Sequence, residues 1–184
     1  NQLVISILAG IRVKTLVKKL AHEAVVRAMP NTPAQIGMGM TVWCASEHVS
    51  DSQKENAQHI LSSTGKAIYA SKEEVIDMAT AISGSGPAYY FFFMEAMVGT
   101  AVSLGFSRET ATELVMQTAL GSVCYAAKAH ESLSELRSQV TSPGGTTAAA
   151  ISVFETSGFK DIVTRALNSS YKKAKEIGNE QDKL

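Results

Sequence analysis

Cysteine is scarce in this chain. Cys44 and Cys124 are the only two among 184 residues, far apart, with neither a CxxC spacing nor a Cys/His cluster. That excludes a disulfide framework and a thiolate zinc site, and it fits a reducing compartment, the cytoplasm. Net charge is missing as well: Lys plus Arg and Asp plus Glu both number 17. No overall field draws in nucleic acid or an anionic membrane surface, so neither is expected as a partner. The most apolar run, AYYFFFMEAMV from Ala88 to Val98, is broken by Glu95 and falls short of the roughly 20 residues a bilayer span needs. A secretory leader is not expected either, because LVISILAGI lacks a basic lead-in and a small-residue cleavage site. His22, His48, His59 and His130 are scattered without an HxxxH pair, so they read as surface residues and no metal is expected.

Apolar residues, by contrast, make up 45% of the chain, enough to bury a substantial core. Residues 1–70 alternate β and α. Leu3 to Leu8 is a β-branched apolar run ended by Ala9-Gly10, the pattern of a strand covered on both faces as in parallel sheets. Arg12 to Leu20 places Val13, Leu16, Val17 and Leu20 on one helix face, with lysines opposite. AVVRAM and MTVWCAS read as strands separated by PNTPAQIG, whose prolines forbid regular pairing. Ser50 with Gln53 forms a capping box opening a helix to about Ser63, with Gly65 as its left-handed stop and AIYA as a strand beyond.

Residues 71–184 read as all-α. Capping boxes are expected at Ser71/Glu74 and Ser132/Glu135. A helix from Pro87 to about Leu104 closes at Gly105, Ser107 caps the next to about Ala129, and the last runs from about Lys160 to Ile177, punctuated by Gly158 and Gly178. The Pro87 helix carries Tyr89 to Met94 and Met97 almost all the way round, so it must be buried on every side. A partner subunit is the natural cover; the central helix of a monomeric bundle is the other reading.

VTSPGGTTAAA, Val140 to Ala150, joins two of these helices. Pro143 stops the first helix, Gly144-Gly145 bring backbone close to a neighbour without a Cβ between, and Thr146 caps a helix opening with Thr147 and alanines. Free N–H groups at such a start suit a carboxylate or phosphate, although a plain helix–turn–helix corner has the same outline. A second glycine-dense turn, SGSGPAYY from Ser83 to Tyr90, leads into another helix start and strengthens the reading of a pocket.

VTSPGGTTAAAISVFE, ISGSGPAYYFFFMEAM and RAMPNTPAQIG together resemble the conserved blocks of the pyrroline-5-carboxylate reductase family, over essentially the whole chain. The resemblance implies the C-terminal part of a Rossmann NAD(P)-binding domain over 1–70 and a helical dimerisation and substrate-binding domain over 71–184. It implies NADPH or NADH as cofactor and hydride transfer to the imine of 1-pyrroline-5-carboxylate, giving L-proline. It also implies a homodimer with interlocked helices, in many members assembled into decamers. The family's GxGxxG-type phosphate loop is missing from this sequence, so the chain is expected to be a fragment that is itself inactive.

Carried over by motif position, Gly144, Gly145, Thr146 and Thr147 would grip the substrate carboxylate through backbone N–H groups. The Thr147 hydroxyl would meet the ring nitrogen as the catalytic contact, and Ser142 would add a hydroxyl. Ile7, Leu8 and Ala9 fall at the family's cofactor-touching strand end, and Asn31 and Thr32 on the loop facing the nicotinamide, where a purely structural role is the alternative. Glu73 matches an acidic residue of the substrate pocket, with an ordinary first-turn glutamate as the alternative. Gln139 stands where relatives carry Asn or Asp near substrate and cofactor, and its longer side chain departs from that pattern. Two other classes stay open: a cofactor-free dimerisation module, and a different NAD(P)-dependent imine or hydroxyacid reductase.

Overall fold

The computed structural model describes residues 2–182, which fall into two compact units: residues up to Tyr89 together with those from Arg165 onward, and Tyr90–Thr164. The first unit is built on β1 (Val4–Ser6), α1 (Val13–Leu20), β2 (Val25–Met29), β3 (Gly39–Ala45), α2 (Asp51–Ser62), β4 (Gly65–Tyr69) and α3 (Glu74–Ala79). The strands form one four-stranded sheet in chain order. β1 and β2 are parallel, Ile5 opposite Val26, and β3 and β4 are parallel, Trp43 opposite Tyr69.

β2 and β3 are antiparallel, Met29 opposite Val42, so the sheet is mixed where β1 suggested a parallel one. The reason is reach: parallel neighbours need a crossover of a dozen or more residues. Only residues 30–38 join these strands, and Pro30 and Pro33 hold them in a tight turn around a short 3-10 segment, Thr32–Ile36.

Alternation along the strands sorts the core onto two faces. Val26, Ala28 and Trp43 pack with Ala57 and Leu61 of α2; on the other face Val42 and Cys44 pack with Ile76 of α3 and Val13 of α1. Trp43 is also pinned by its ring N–H, which donates to Gln58 Oε1 at 2.9 Å. The expected β1 run is cut short: only Val4–Ser6 pairs, and Ile7 and Leu8 stand 60% and 59% exposed.

The Ser50/Gln53 capping box forms as read from the sequence, but Gly65 is not a helix stop. It is the first residue of β4, at φ +140°, where a Cβ would collide with the backbone of Gly39. Nor does a Ser71/Glu74 box form: α3 begins after Glu73 with no side-chain cap. Past α3, a wide π turn (Thr80–Gly84) leads into α4 (Gly86–Ser103).

The second unit holds most of α4, then α5 (Arg108–Lys128), α6 (Leu133–Gln139), α7 (Thr146–Thr156) and the first residues of α8 (Phe159–Gln181). Ser107 caps α5, and the Ser132/Glu135 box caps α6. Phe93, Phe154 and Phe159 make a tilted aromatic cluster, with centroids 5.4 Å apart for Phe154 and Phe159 and 6.3 Å for the other pairs. α8 runs straight through Gly178, which is buried within it and does not punctuate it. α4 is apolar all round but not enclosed by its own chain, since Tyr90, Phe91 and Phe92 are exposed. Among the described residues no helix is long and apolar enough to cross a membrane, and no cluster of His, Cys, Asp or Glu has the makings of a metal site.

Candidate functional site

In the first unit, the carboxyl ends of β1 and β2 lie at the same edge of the sheet because the strands are parallel. Ile7, Leu8 and Ala9 leave that edge as an exposed turn, and Asn31 and Thr32 follow β2 there. Such an edge, outside the carboxyl ends of parallel strands, is where α/β sheets bind ligands. Exposed Ile7 and Leu8 supply an apolar surface of the kind a flat ring covers. The Asn31 amide is largely spent on the fold: its Oδ1 accepts from Met40 N at 2.9 Å and its Nδ2 donates to the Ser83 carbonyl at 3.0 Å. It thereby joins the start of β3 to the π turn. Thr32 is exposed, with no such bond among the described residues.

Glu73 belongs to the same unit and anchors a buried charge cluster. Its Oε1 accepts from Arg27 Nη1 at 2.9 Å and from the backbone N–H of Val13 at 2.8 Å, while Arg27 Nη2 donates to Asp77 Oδ1 at 2.9 Å. Arg27 is 1% exposed, and its Nε finds no partner. Val13 opens α1, whose own N-cap, Arg12, provides no side-chain bond, so a glutamate of distant sequence satisfies the first amide of the helix. Oε2 of Glu73 takes no hydrogen bond from the described residues, and Glu73 borders a cleft of about 660 Å³ lined also by Arg12, Lys72, Asp77, Tyr171 and Lys175. Beside this cluster the Cys44 thiol is pushed up to about 12, first by burial and then by the charges of Glu73 and Asp77, with Arg27 opposing.

The second unit carries the glycine loop. The Ser142 carbonyl accepts the Gly145 N–H at 3.0 Å, closing a turn with Pro143 at its second position and Gly144, at φ +70°, at its third. Proline then a left-handed glycine is the type II signature. The N-cap of α7 is Gly145, at φ −80° and ψ 170°, rather than the expected Thr146, and it has no side chain with which to cap. A Cβ there would sit 2.5 Å from Ser142 Oγ, so what the bare backbone approaches is the loop's own Ser142.

The amides of Thr146, Thr147 and Ala148 thus open α7 without a side-chain cap, and the Thr147 hydroxyl has no hydrogen bond among the described residues. Uncapped first-turn amides carrying the positive end of the helix dipole attract an anion. Gln139, at the end of α6, is exposed and reaches Glu131 Oε1 at 3.4 Å.

The structure therefore places the expected residues in two sets: Ile7–Ala9, Asn31, Thr32 and Glu73 in the first unit, and Gln139, Ser142 and Gly144–Thr147 in the second. Sequence reasoning passed over Arg27 and Asp77. A signal existed for Arg27, the one charge in the otherwise apolar strand Val25–Met29, since a charge in a covered strand requires a paired acid.

Comparison with known proteins shows the family. Residues 73–177 match the family model described as pyrroline-5-carboxylate reductase dimerisation. A pyrroline-5-carboxylate reductase from Pseudomonas aeruginosa is 44% identical over 181 residues, covering 98% of this chain and 66% of the relative. Among solved structures, a pyrroline carboxylate reductase from Plasmodium falciparum with NADP bound superposes with a TM-score of 0.90 at 36% identity, covering 96% of this chain and 71% of the other. One from Coxiella burnetii gives 0.89 at 41%, covering 95% and 65%. The chain spans about 66% of the length of the curated relative from P. aeruginosa. An α/β sheet unit followed by uninterrupted helices carrying the dimerisation segment is the plan shared with these proteins, and the chain belongs to the pyrroline-5-carboxylate reductase family.

Proposed function

We propose that the protein to which this chain belongs reduces 1-pyrroline-5-carboxylate to L-proline with NADPH or NADH. The observation that carries this reading is the uncapped start of α7 behind the Ser142–Gly145 turn, a cradle fitted to a small carboxylate. NAD(P)H supplies the hydride for the imine carbon. The remaining task for protein groups is positioning, because a cationic imine needs little further activation.

In this reading the amides of Thr146, Thr147 and Ala148 hold the substrate carboxylate, and the Thr147 hydroxyl hydrogen-bonds the ring nitrogen. Ser142 and Gln139 border the same loop. Ile7, Leu8 and Ala9 touch the cofactor, Asn31 and Thr32 face the nicotinamide, and the free Oε2 of Glu73 is available to a substrate. Residues 1–70 then serve as the C-terminal part of the nucleotide domain and 71–184 as the substrate and dimerisation domain. The exposed aromatic surface of α4 supports a homodimer whose partner covers it, and a cytoplasmic location accords with two unpaired cysteines.

Full-length protein is expected to oxidise NADPH in the presence of 1-pyrroline-5-carboxylate and not with 2-keto or 3-hydroxy acids. Turnover of those acids at comparable kcat/KM would overturn the substrate assignment. A cofactor-free oligomer is the second reading, favoured by the exposed aromatic face of α4. It predicts a stable assembly by light scattering that no nicotinamide nucleotide perturbs.

A further inference from the structure

The turn Ile7–Ala9 has little of its own to hold it. Among the described residues its hydrogen bond is Leu8 N to Ser6 Oγ, at 3.4 Å. The residues immediately after Ala9, however, are gripped by the far end of α8. Gly10, at φ +73°, lies against Ile177 so closely that a Cβ would overlap the isoleucine side chain. The Arg12 guanidinium lies across Gly178, where a Cβ would stand 3.3 Å from Nε.

Beyond these glycines, Asp182 closes the contact. Its Oδ2 accepts from Arg12 Nη1 at 2.7 Å and from Lys14 Nζ at 2.9 Å, and its Oδ1 accepts from Thr15 Oγ1 at 2.8 Å. Asn179 Oδ1 takes the other Arg12 nitrogen, Nη2, at 2.7 Å. The Asp182 side chain is 12% exposed, so one largely covered carboxylate gathers the first turn of α1.

We propose that Asp182 is a positioning residue for the cofactor-touching turn Ile7–Ala9. Held at Arg12, Lys14 and Thr15, the start of α1 fixes where the turn must end, and Ile177 backs Gly10 immediately after Ala9. Released, the turn samples several conformations, and a cofactor that needs one of them binds more weakly by the fraction lost. The proposal rests on the reading of Ile7–Ala9 as a cofactor contact.

The test compares full-length wild type with Asp182→Ala, Asp182→Asn and Asp182→Glu by NADPH fluorescence titration and by hydrogen exchange of residues 7–16. Asp182→Ala is expected to weaken NADPH binding about tenfold and to speed exchange in that segment, with KM for 1-pyrroline-5-carboxylate unchanged. Asp182→Asn, which keeps an acceptor for Thr15 and folds with less disturbance, should fall between, and Asp182→Glu should recover most of the affinity. Unchanged exchange, or quickened exchange with unchanged NADPH affinity, would overturn the positioning role. If wild type binds no NADPH while exchange still quickens in Asp182→Ala, the cofactor reading fails and the positioning role with it, leaving a contact of the fold alone.

Discussion

Glu73 Oε1 lies 2.8 Å from the backbone nitrogen of Val13, so a residue at the head of α3 caps α1 across 60 positions of sequence. The same oxygen holds Arg27, and Arg27 holds Asp77, which makes one carboxylate the meeting point of α1, α3 and the centre of the sheet. Removing Arg27 strands both acids. Arg27→Ala is expected to cost about 3–5 kcal/mol, the penalty for breaking a buried ion pair from one side. Glu73→Ala, which removes a partly exposed cap, should cost about 1–2 kcal/mol. Urea denaturation midpoints at constant m-value separate the two.

The glycine loop makes a sharper demand on shape. Gly145→Ala puts a methyl group against Ser142 Oγ, which must rotate away, and 3.2 Å from the Ser142 carbonyl oxygen, which crowds the loop beside the uncapped amides. The expected outcome is a KM for 1-pyrroline-5-carboxylate raised at least about tenfold, with helix content by circular dichroism unaltered. Thr147→Val should lower kcat/KM, and Thr147→Ser should restore most of it, since only the hydroxyl is in question.

Cys44 should be silent to thiol reagents. Burial and the neighbouring acids push its thiol up to about 12, so almost no thiolate exists near pH 8. In a Cys124→Ser background, alkylation followed by mass spectrometry should show no adduct until denaturant is added. Labelling of the native protein at a rate typical of exposed thiols would contradict the buried environment described for β3.

Asp182 gives the protein an acid-sensitive contact. Burial opposes its ionisation, yet Lys14 and Thr15 as donors and the charges of Arg12 and Lys14 hold its carboxyl below the ordinary value of 3.8. A carboxylate lowered on folding stabilises the fold above its unfolded pKa and loses that contribution as pH falls through the folded one. The Tm difference between wild type and Asp182→Asn should therefore be constant above about pH 5 and shrink toward zero as pH falls below about 4.

The exposed aromatic face of α4 should be an assembly surface. Phe92 is 74% exposed, and Tyr90 and Phe91 beside it are 68% and 60% exposed. Phe92→Glu is expected to shift the protein from dimer to monomer in light scattering, because an apolar patch of this kind marks a partner's place. A dimer that persists unchanged would mean the contact lies on other helices.

Much of the fold is legible in the sequence alone. The boxes at Ser50 and Ser132 form because each depends on residues three apart, and the strands Val25–Met29 and Gly39–Ala45 follow from local apolar patterning. The features that escape such a reading depend on distant partners. Ser71 loses its box because α3 starts later, with Glu73 already committed to Arg27 and Val13. Gly178 reads as a helix end until Arg12 is known to lie across it, and Thr146 reads as a cap until the Ser142–Gly145 turn shifts the start of α7 by one residue. Spacing reports neighbours along a helix, not which carboxylate arrives from another part of the chain.

The Arg12–Asp182 bond spans 170 positions, and both its partners lie in the unit that contains β1. On the ribosome, at about 5–20 residues per second, roughly 10–30 s separate the emergence of those partners. During that interval the sheet waits without α8, with the cleft beside Glu73 and the start of α1 uncovered. Chaperone capture of nascent chains should accordingly concentrate on the first unit, and loss of the short segment from Ile177 to Asp182 would penalise maturation out of proportion to its length.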